Sequence, residues 1–125
     1  MNTRIEQQVT ATEMKYLRRV ANKTRRDMER NTNIGEELES KPLTAQIETK
    51  QLSWYGHVKR MGKDRIPRKI LEVRMEGKKA RGRPRTTWFE NIERAVQKRG
   101  KSIREMSPIT ADRKKWKDFI MDPTP

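Results

Sequence analysis

Residues 42–60 read PLTAQIETKQLSWYGHVKR. Leu43, Ile47, Gln51, Trp54 and Val58 recur every three or four positions, which predicts one face of an α-helix, with Leu52 and Tyr55 beside it. Pro42 suits the first turn, where its fixed φ is pre-organised and its missing N–H leaves no helical bond unmade. Inside a helix Gly56 is less favourable than Ala by about 1 kcal/mol, so its presence marks a close-packing position. Gly62 ends the pattern. Trp54 and Tyr55 are expected to pack in a core rather than stack on bases, and His57 to be a packed or hydrogen-bonding histidine.

N-terminal to this helix, Thr3 to Ala21 reads as another. Ile5, Val9, Thr12, Tyr16 and Val20 form its stripe, widened by Met14, Leu17 and Ala21. Thr10-x-x-Glu13 resembles a capping box, which would start the stable helix there and leave the first turns frayed. Thr24-Arg25-Arg26-Asp27 suggests a short second helix and Asn33-x-x-Glu36 a third, with Glu36 and Glu37 as first-turn acids. Ser40-Lys41-Pro42 is a break.

On the C-terminal side, Ile66, Ile70, Leu71 and Val73 fit either a short helix started at Pro67 or an extended segment. Gly77 to Arg85 is too basic and too rich in Gly and Pro for regular structure. Thr87-x-x-Glu90 is a capping box opening a helix with Trp88, Ile92, Ala95 and Val96 on one face and Gly100 as its stop. That face is expected to pack against the stripe through Ile47, Trp54 and Val58. Ser102-x-x-Glu105 opens a further helix, which Pro108 should break or kink at Ser107. Ile109, Trp116, Phe119 and Ile120 resume the helical period, and Trp88 and Trp116 are expected in the core. The fold class is therefore all-α: several short-to-medium helices in a loose bundle, with one basic extended strap containing Gly and Pro.

Composition narrows the function. Of 125 residues only 31% are apolar, Leu, Ile, Val and Phe together number 21, and the net charge is +14. Such a chain builds small helical clusters rather than one deep core and can depend on a partner. A pI near 10.5 is the footprint of a polyanion ligand. Between Gly56 and Arg85, twelve Lys or Arg stand against Asp64, Glu72 and Glu76, a net of +9. The absence of Cys and the single His57 leave too few parts for a zinc knuckle, a thiol nucleophile or a Ser–His pair, and no cofactor is expected. No apolar run approaches a membrane span and the N-terminus lacks a signal-peptide core, so an intracellular, soluble chain of the nucleus or cytoplasm is expected.

Arg81-Gly82-Arg83-Pro84 matches the core of an AT-hook, and three readings compete. As a hook, Gly82 would sit on the minor-groove floor with Arg81 and Arg83 along an A·T run. As a strap, the same arginines would grip phosphates without reading bases. As a solvated lead-in, they would only precede the Thr87-capped helix. The strap is the favoured reading.

The segments TEMKYLRRV (12–20), TRRDMERN (24–31), KQLSWYGHVKRM (50–61), DRIPRKIL (64–71), GKKARGRPRTTW (77–88) and DRKKWKDFI (112–120) resemble the C-terminal tail of LINE-type reverse transcriptases. The resemblance is to the thumb and post-palm region of the endonuclease–reverse transcriptases of animal non-LTR retrotransposons, common in insects. It covers nearly the whole chain in order. It is most specific at Trp54-Tyr55-Gly56-His57-Val58 and at Gly82-Arg83-Pro84-Arg85 with Trp88. It implies a thumb-like helical segment over 1–62, a basic linker or strap over 63–87, C-terminal helices over 88–120 and a disordered tail over 121–125.

The resemblance also implies a role beside an RNA-directed DNA polymerase, holding RNA template, RNA–DNA hybrid or target DNA, with the missing palm as a protein partner. Catalysis is not expected. Asp27, Asp64, Asp112, Asp118 and Asp122 are scattered, with no adjacent acidic pair of the palm kind, and the endonuclease residues are absent. Pro108 stands where the family continues a helix with a basic or polar residue, as in a decayed copy. The candidate nucleic-acid contacts are Lys78, Lys79, Arg81, Arg83 and Arg85, then Lys59, Arg60, Arg65, Arg68 and Lys69, with Arg18, Arg19, Arg25 and Arg26 as a second patch. The alternatives are a helical interaction scaffold meeting an acidic protein and an AT-hook-type remnant with no polymerase role. No membrane and no small-molecule substrate are expected.

Overall fold

The computed structural model describes residues 2–73, 81–83 and 85–122. Over these the chain is all-helical, and no strand occurs among the described residues. The helices are α1 (Thr3–Val20), α2 (Asn31–Glu37), α3 (Leu43–Arg60), α4 (Ile66–Glu72), α5 (Trp88–Lys98), α6 (Met106–Ala111) and α7 (Arg113–Met121). Single 3₁₀ turns lie at Arg25–Asp27 and Ile103–Glu105. Two compact units divide the chain, residues 1–47 and 48–125.

In the first unit α1 starts at Thr3, seven residues before the expected box. The Asn2 side chain caps it, accepting from the Arg4 N–H at 2.7 Å. Thr10 and Glu13 therefore lie inside the helix, and Glu13 instead accepts from the Leu43 N–H at 2.9 Å. The expected stripe is also rotated. Ile5, Tyr16 and Val20 are exposed, and Met14 is the buried residue of α1, packing its helix on α2, where Ile34 is fully buried. The Arg25–Asp27 turn is fixed by Asp27, whose carboxylate accepts from the Thr24 N–H and hydroxyl at 2.5 and 3.0 Å. These bonds hold the Asp27 carboxyl below its ordinary pKa. α2 begins at Asn31, two residues ahead of Asn33.

The second unit has the larger core, formed by Leu52 and Tyr55 of α3, Ile92, Ala95 and Val96 of α5, Met106 of α6 and Trp116 and Ile120 of α7. Leu71, Ile103, Ile109 and Phe119 pack around it, half-buried. Trp116 organises this cluster. Its indole N–H donates to the Leu52 carbonyl at 2.9 Å, and its ring stacks on Phe119 at 5.4 Å between centroids. Gly56 is the notch that admits it. A Cβ at position 56 would fall inside the van der Waals radii of the indole, 2.9 Å from Cε2 and closer still to Nε1.

The buried face of α3 is thus Leu52, Tyr55, Gly56 and Val58. Successive helical residues are about 100° apart, so this choice turns Trp54 outward, where it is 51% exposed. The expected core role of Trp54 is corrected on that ground. Trp88, at 36%, sits on the rim, its ring 6.3 Å from Tyr55, while Trp116 is the buried tryptophan.

The ends of α5 follow the sequence closely. Thr87 Oγ1 accepts from the Glu90 N–H and Glu90 accepts in return from the Thr87 N–H, both at 3.3 Å, and Gly100 takes φ 73° past the last turn. Pro108 does not break its helix. A 3₁₀ turn capped by Ser102 precedes α6, and Pro108 becomes the third residue of that helix, where a missing N–H sacrifices no helical bond. Ile66–Glu72 is helical, with Pro67 in its first turn. Met121 completes α7, and the rest of the expected tail beyond Asp122 lies outside the described residues.

Candidate nucleic-acid interface

Charge is divided unequally between the units. Residues 48–125 hold 22 Lys or Arg against 10 acids, a net of +12, and residues 1–47 hold 9 against 7, a net of +2. In a chain with so small a core, most of these cations must stay at the surface, since a buried unpaired charge is prohibitive.

Arg81, Arg83 and Arg85 are exposed and have no ion-pair partner among the described residues. Gly82 between the first two takes φ 113°, with open space where a Cβ would be, so residues 81–83 bend rather than run extended. Lys78 and Lys79 lie outside the described residues. Arg65 and Lys69 are exposed at the start and middle of α4.

Other predicted cations are partly occupied. Arg68 bridges Glu72 at 2.6 Å and donates to the Lys59 carbonyl, tying α4 back to the end of α3. Arg60 donates to the Thr110 carbonyl at 3.0 Å. The Lys59 ammonium lies 5.9 Å from the centre of the Tyr55 ring. In the first unit Arg18 donates to the Glu29 carbonyl and to Asn31 Oδ1, both at 2.8 Å, so it closes the loop after α1. Arg19, Arg25 and Arg26 remain exposed there.

One feature escaped the sequence reading. Along α3 and α7 runs an open groove of about 630 Å³. Its apolar floor is Trp116 and Ile120, one wall carries Trp54 and His57, and Lys50, Arg60, Arg113 and Lys117 rim it. None of its lining residues is acidic. Trp54 and His57, three residues apart on α3, hold their rings at 5.3 Å and 43°. Arg113 and Lys117 share a face of α7 by their four-residue spacing. The start of α7 is set by Asp112, which accepts from the Lys115 and Lys114 N–H groups at 3.3 and 2.9 Å, bonds that also lower its carboxyl pKa. The pattern Lys50–Trp54–His57 was visible in the sequence, but only the burial of Tyr55 and Gly56 shows that it faces solvent.

Near the start of α3, Glu48 bridges Arg99 at 2.5 Å and Lys98 at 3.1 Å. Burial pushes its carboxyl pKa up, but the two cationic hydrogen bonds outweigh that and hold it below the ordinary value. Among the described residues no three His, Cys, Asp or Glu side chains are grouped to hold a metal ion, and no helix is long and apolar enough to cross a membrane.

The arrangement is that of a small all-helical unit with a net cationic charge and an aromatic-lined cleft. No family model, no curated protein and no solved structure matches the chain.

Proposed function

We propose that this chain is a nucleic-acid-binding, non-catalytic segment of a non-LTR retrotransposon reverse transcriptase, holding RNA template, RNA–DNA hybrid or target DNA through phosphates. The observation that carries the reading is the net charge of +12 on residues 48–125, with Arg81, Arg83 and Arg85 exposed and unpaired among the described residues. Each phosphate neutralised by such a cation releases condensed counterions, which favours binding at low salt. The bend at Arg81–Arg83 supports a strap over an AT-hook, which must lie extended in the minor groove. The resemblance of Trp54–Val58 and Gly82–Trp88 to the reverse-transcriptase tail supplies the parent class, and the scattered acids support a role without chemistry.

The test is a salt series with A·T-rich and G·C-rich duplexes, on the parent and on Arg81→Ala/Arg83→Ala/Arg85→Ala. The triple variant should lower the magnitude of the log–log salt slope by about 2–3, near 0.9 per lost contact. Base preference should barely change, because phosphate contacts carry no sequence information. A parent that binds no nucleic acid at low salt overturns the reading, and an unchanged slope removes the strap from it. A strong A·T preference lost in the variant would replace the strap with the hook. Primer extension by the purified chain with Mg²⁺ or Mn²⁺ should not exceed a mock preparation.

A further inference from the structure

We infer that the groove along α3 and α7 is a binding site for an unpaired base of single-stranded nucleic acid, with Trp54 as the stacking face and Lys50, Arg113 and Lys117 as phosphate contacts. This rests on the nucleic-acid reading of residues 48–125 but uses residues apart from the strap.

The first observation is that Trp54 is half exposed and that its exposed ring lines a cleft rimmed by cations. Its neighbour on the helix, Tyr55, is buried, so the exposure follows from the helical register and not from a frayed end. His57 supports the indole from one side, which limits the freedom lost when a ligand packs on it. The second observation is the cleft itself. Its volume of about 630 Å³ falls within the roughly 300–1,000 Å³ range of small-ligand clefts. Trp116 and Ile120 give its floor an apolar lining, which suits a flat aromatic group. The third is charge: cations stand on both walls and no acid lines the space.

A ligand matching all three is planar and aromatic, and is linked to anions on either side. A nucleotide in a strand has that form. Bases in a duplex have their faces covered by neighbours, so the site discriminates for unpaired strands, the usual outcome when aromatic platforms combine with basic grooves. An acidic peptide would satisfy the cations and leave the indole without a role.

The test uses the full chain with a labelled oligothymidylate of about twelve nucleotides, within the span of known single-strand sites. A duplex of equal charge is measured in parallel. Trp54→Leu should weaken single-strand binding roughly five- to a hundredfold, the range that loss of one base stack produces. Duplex affinity should stay within about twofold, and Trp54→Phe should recover much of the loss. Arg113→Gln/Lys117→Gln should lower the single-strand salt slope by about 1.4, near 0.7 per contact. In the parent, tryptophan fluorescence should be quenched by oligothymidylate and not by duplex, a reading that needs no variant to fold.

Single-strand affinity unchanged within about twofold in Trp54→Leu, with melting like the parent, overturns the site while leaving the strap reading intact. Equal competition by polyglutamate at matched charge also overturns it, in favour of an acidic protein partner. A parent that binds neither strand form overturns the functional reading and this site with it.

Discussion

Gly56→Ala puts two physical effects in opposition, and the structure fixes which one wins. Helix propensity alone predicts a gain of about 1 kcal/mol, because Ala is the better residue inside a helix. Packing predicts the reverse. The new Cβ would overlap the Trp116 indole, whose N–H is bonded to the Leu52 carbonyl one turn earlier on the same helix. Forcing an extra carbon into a filled core typically costs about 1–3 kcal/mol. If the indole swings away, its N–H loses a buried partner, a further penalty of about 1–3 kcal/mol. With the indole displaced, the net expectation is a destabilisation of about 1–5 kcal/mol. For a unit of this size each kilocalorie lowers the melting temperature by about 4–8 °C, so the midpoint should fall by about 4–40 °C.

Circular dichroism melts of the parent, Gly56→Ala, Trp116→Ala and the double variant make the test quantitative. Where the indole is already gone, Gly56→Ala should turn neutral or mildly stabilising, so the two changes are strongly non-additive. A Gly56→Ala protein as stable as the parent would mean that Trp116 does not sit against α3, and the core described above would be wrong.

Trp116→Ala should cost about 3–5 kcal/mol, as for other buried aromatics, whereas Trp54→Ala should change stability by no more than about 0.5 kcal/mol; urea unfolding midpoints separate the two. Thr87→Ala removes one half of the capping box of α5 and should cost about 1 kcal/mol, read as a small drop in melting temperature. For Glu48 the sign follows from a carboxyl pKa that the fold lowers. Its stabilisation is present above the unfolded value of about 4.3 and is lost as pH falls through the folded one. The stability difference between parent and Glu48→Gln should therefore be largest near neutrality and shrink in acid; a difference that grows on acidification would contradict the pairing with Arg99 and Lys98.

The local signals that carried correctly are those whose physics is local. Thr87 with Glu90 and Gly100 define α5 through bonds and dihedrals within a few residues, and the unfavourable Gly56 announced a close neighbour without naming it. The face of α3 was harder. Both 47-51-54-58 and 52-55-56-58 satisfy helical spacing, and the choice is made by Trp116, 64 residues from Leu52. Pro108 is harmless because α6 starts at Met106, a position that depends on the preceding 3₁₀ turn and not on the residues beside the proline. Thr10 and Glu13 carried a cap pattern, but Asn2 had already started the helix. Among the candidate contacts, charge alone does not distinguish Arg81, exposed and without an ion-pair partner among the described residues, from Arg18, Arg60 and Arg68, which carbonyl oxygens hold in place.

The separation of buried packing from exposed charge has an evolutionary consequence. Folding of residues 48–125 rests on a short set of positions, including Leu52, Gly56, Ile92 and Trp116, where most substitutions are expensive. Replacing a surface Lys or Arg changes stability by no more than about 0.5 kcal/mol in most cases. Selection for a stable fold alone would therefore let the cations vary among copies of the gene while holding the tryptophan and its glycine notch. Retention of Lys50, Arg113 and Lys117 alongside Trp54 would then record selection on binding, in a tally of substitutions independent of any assay.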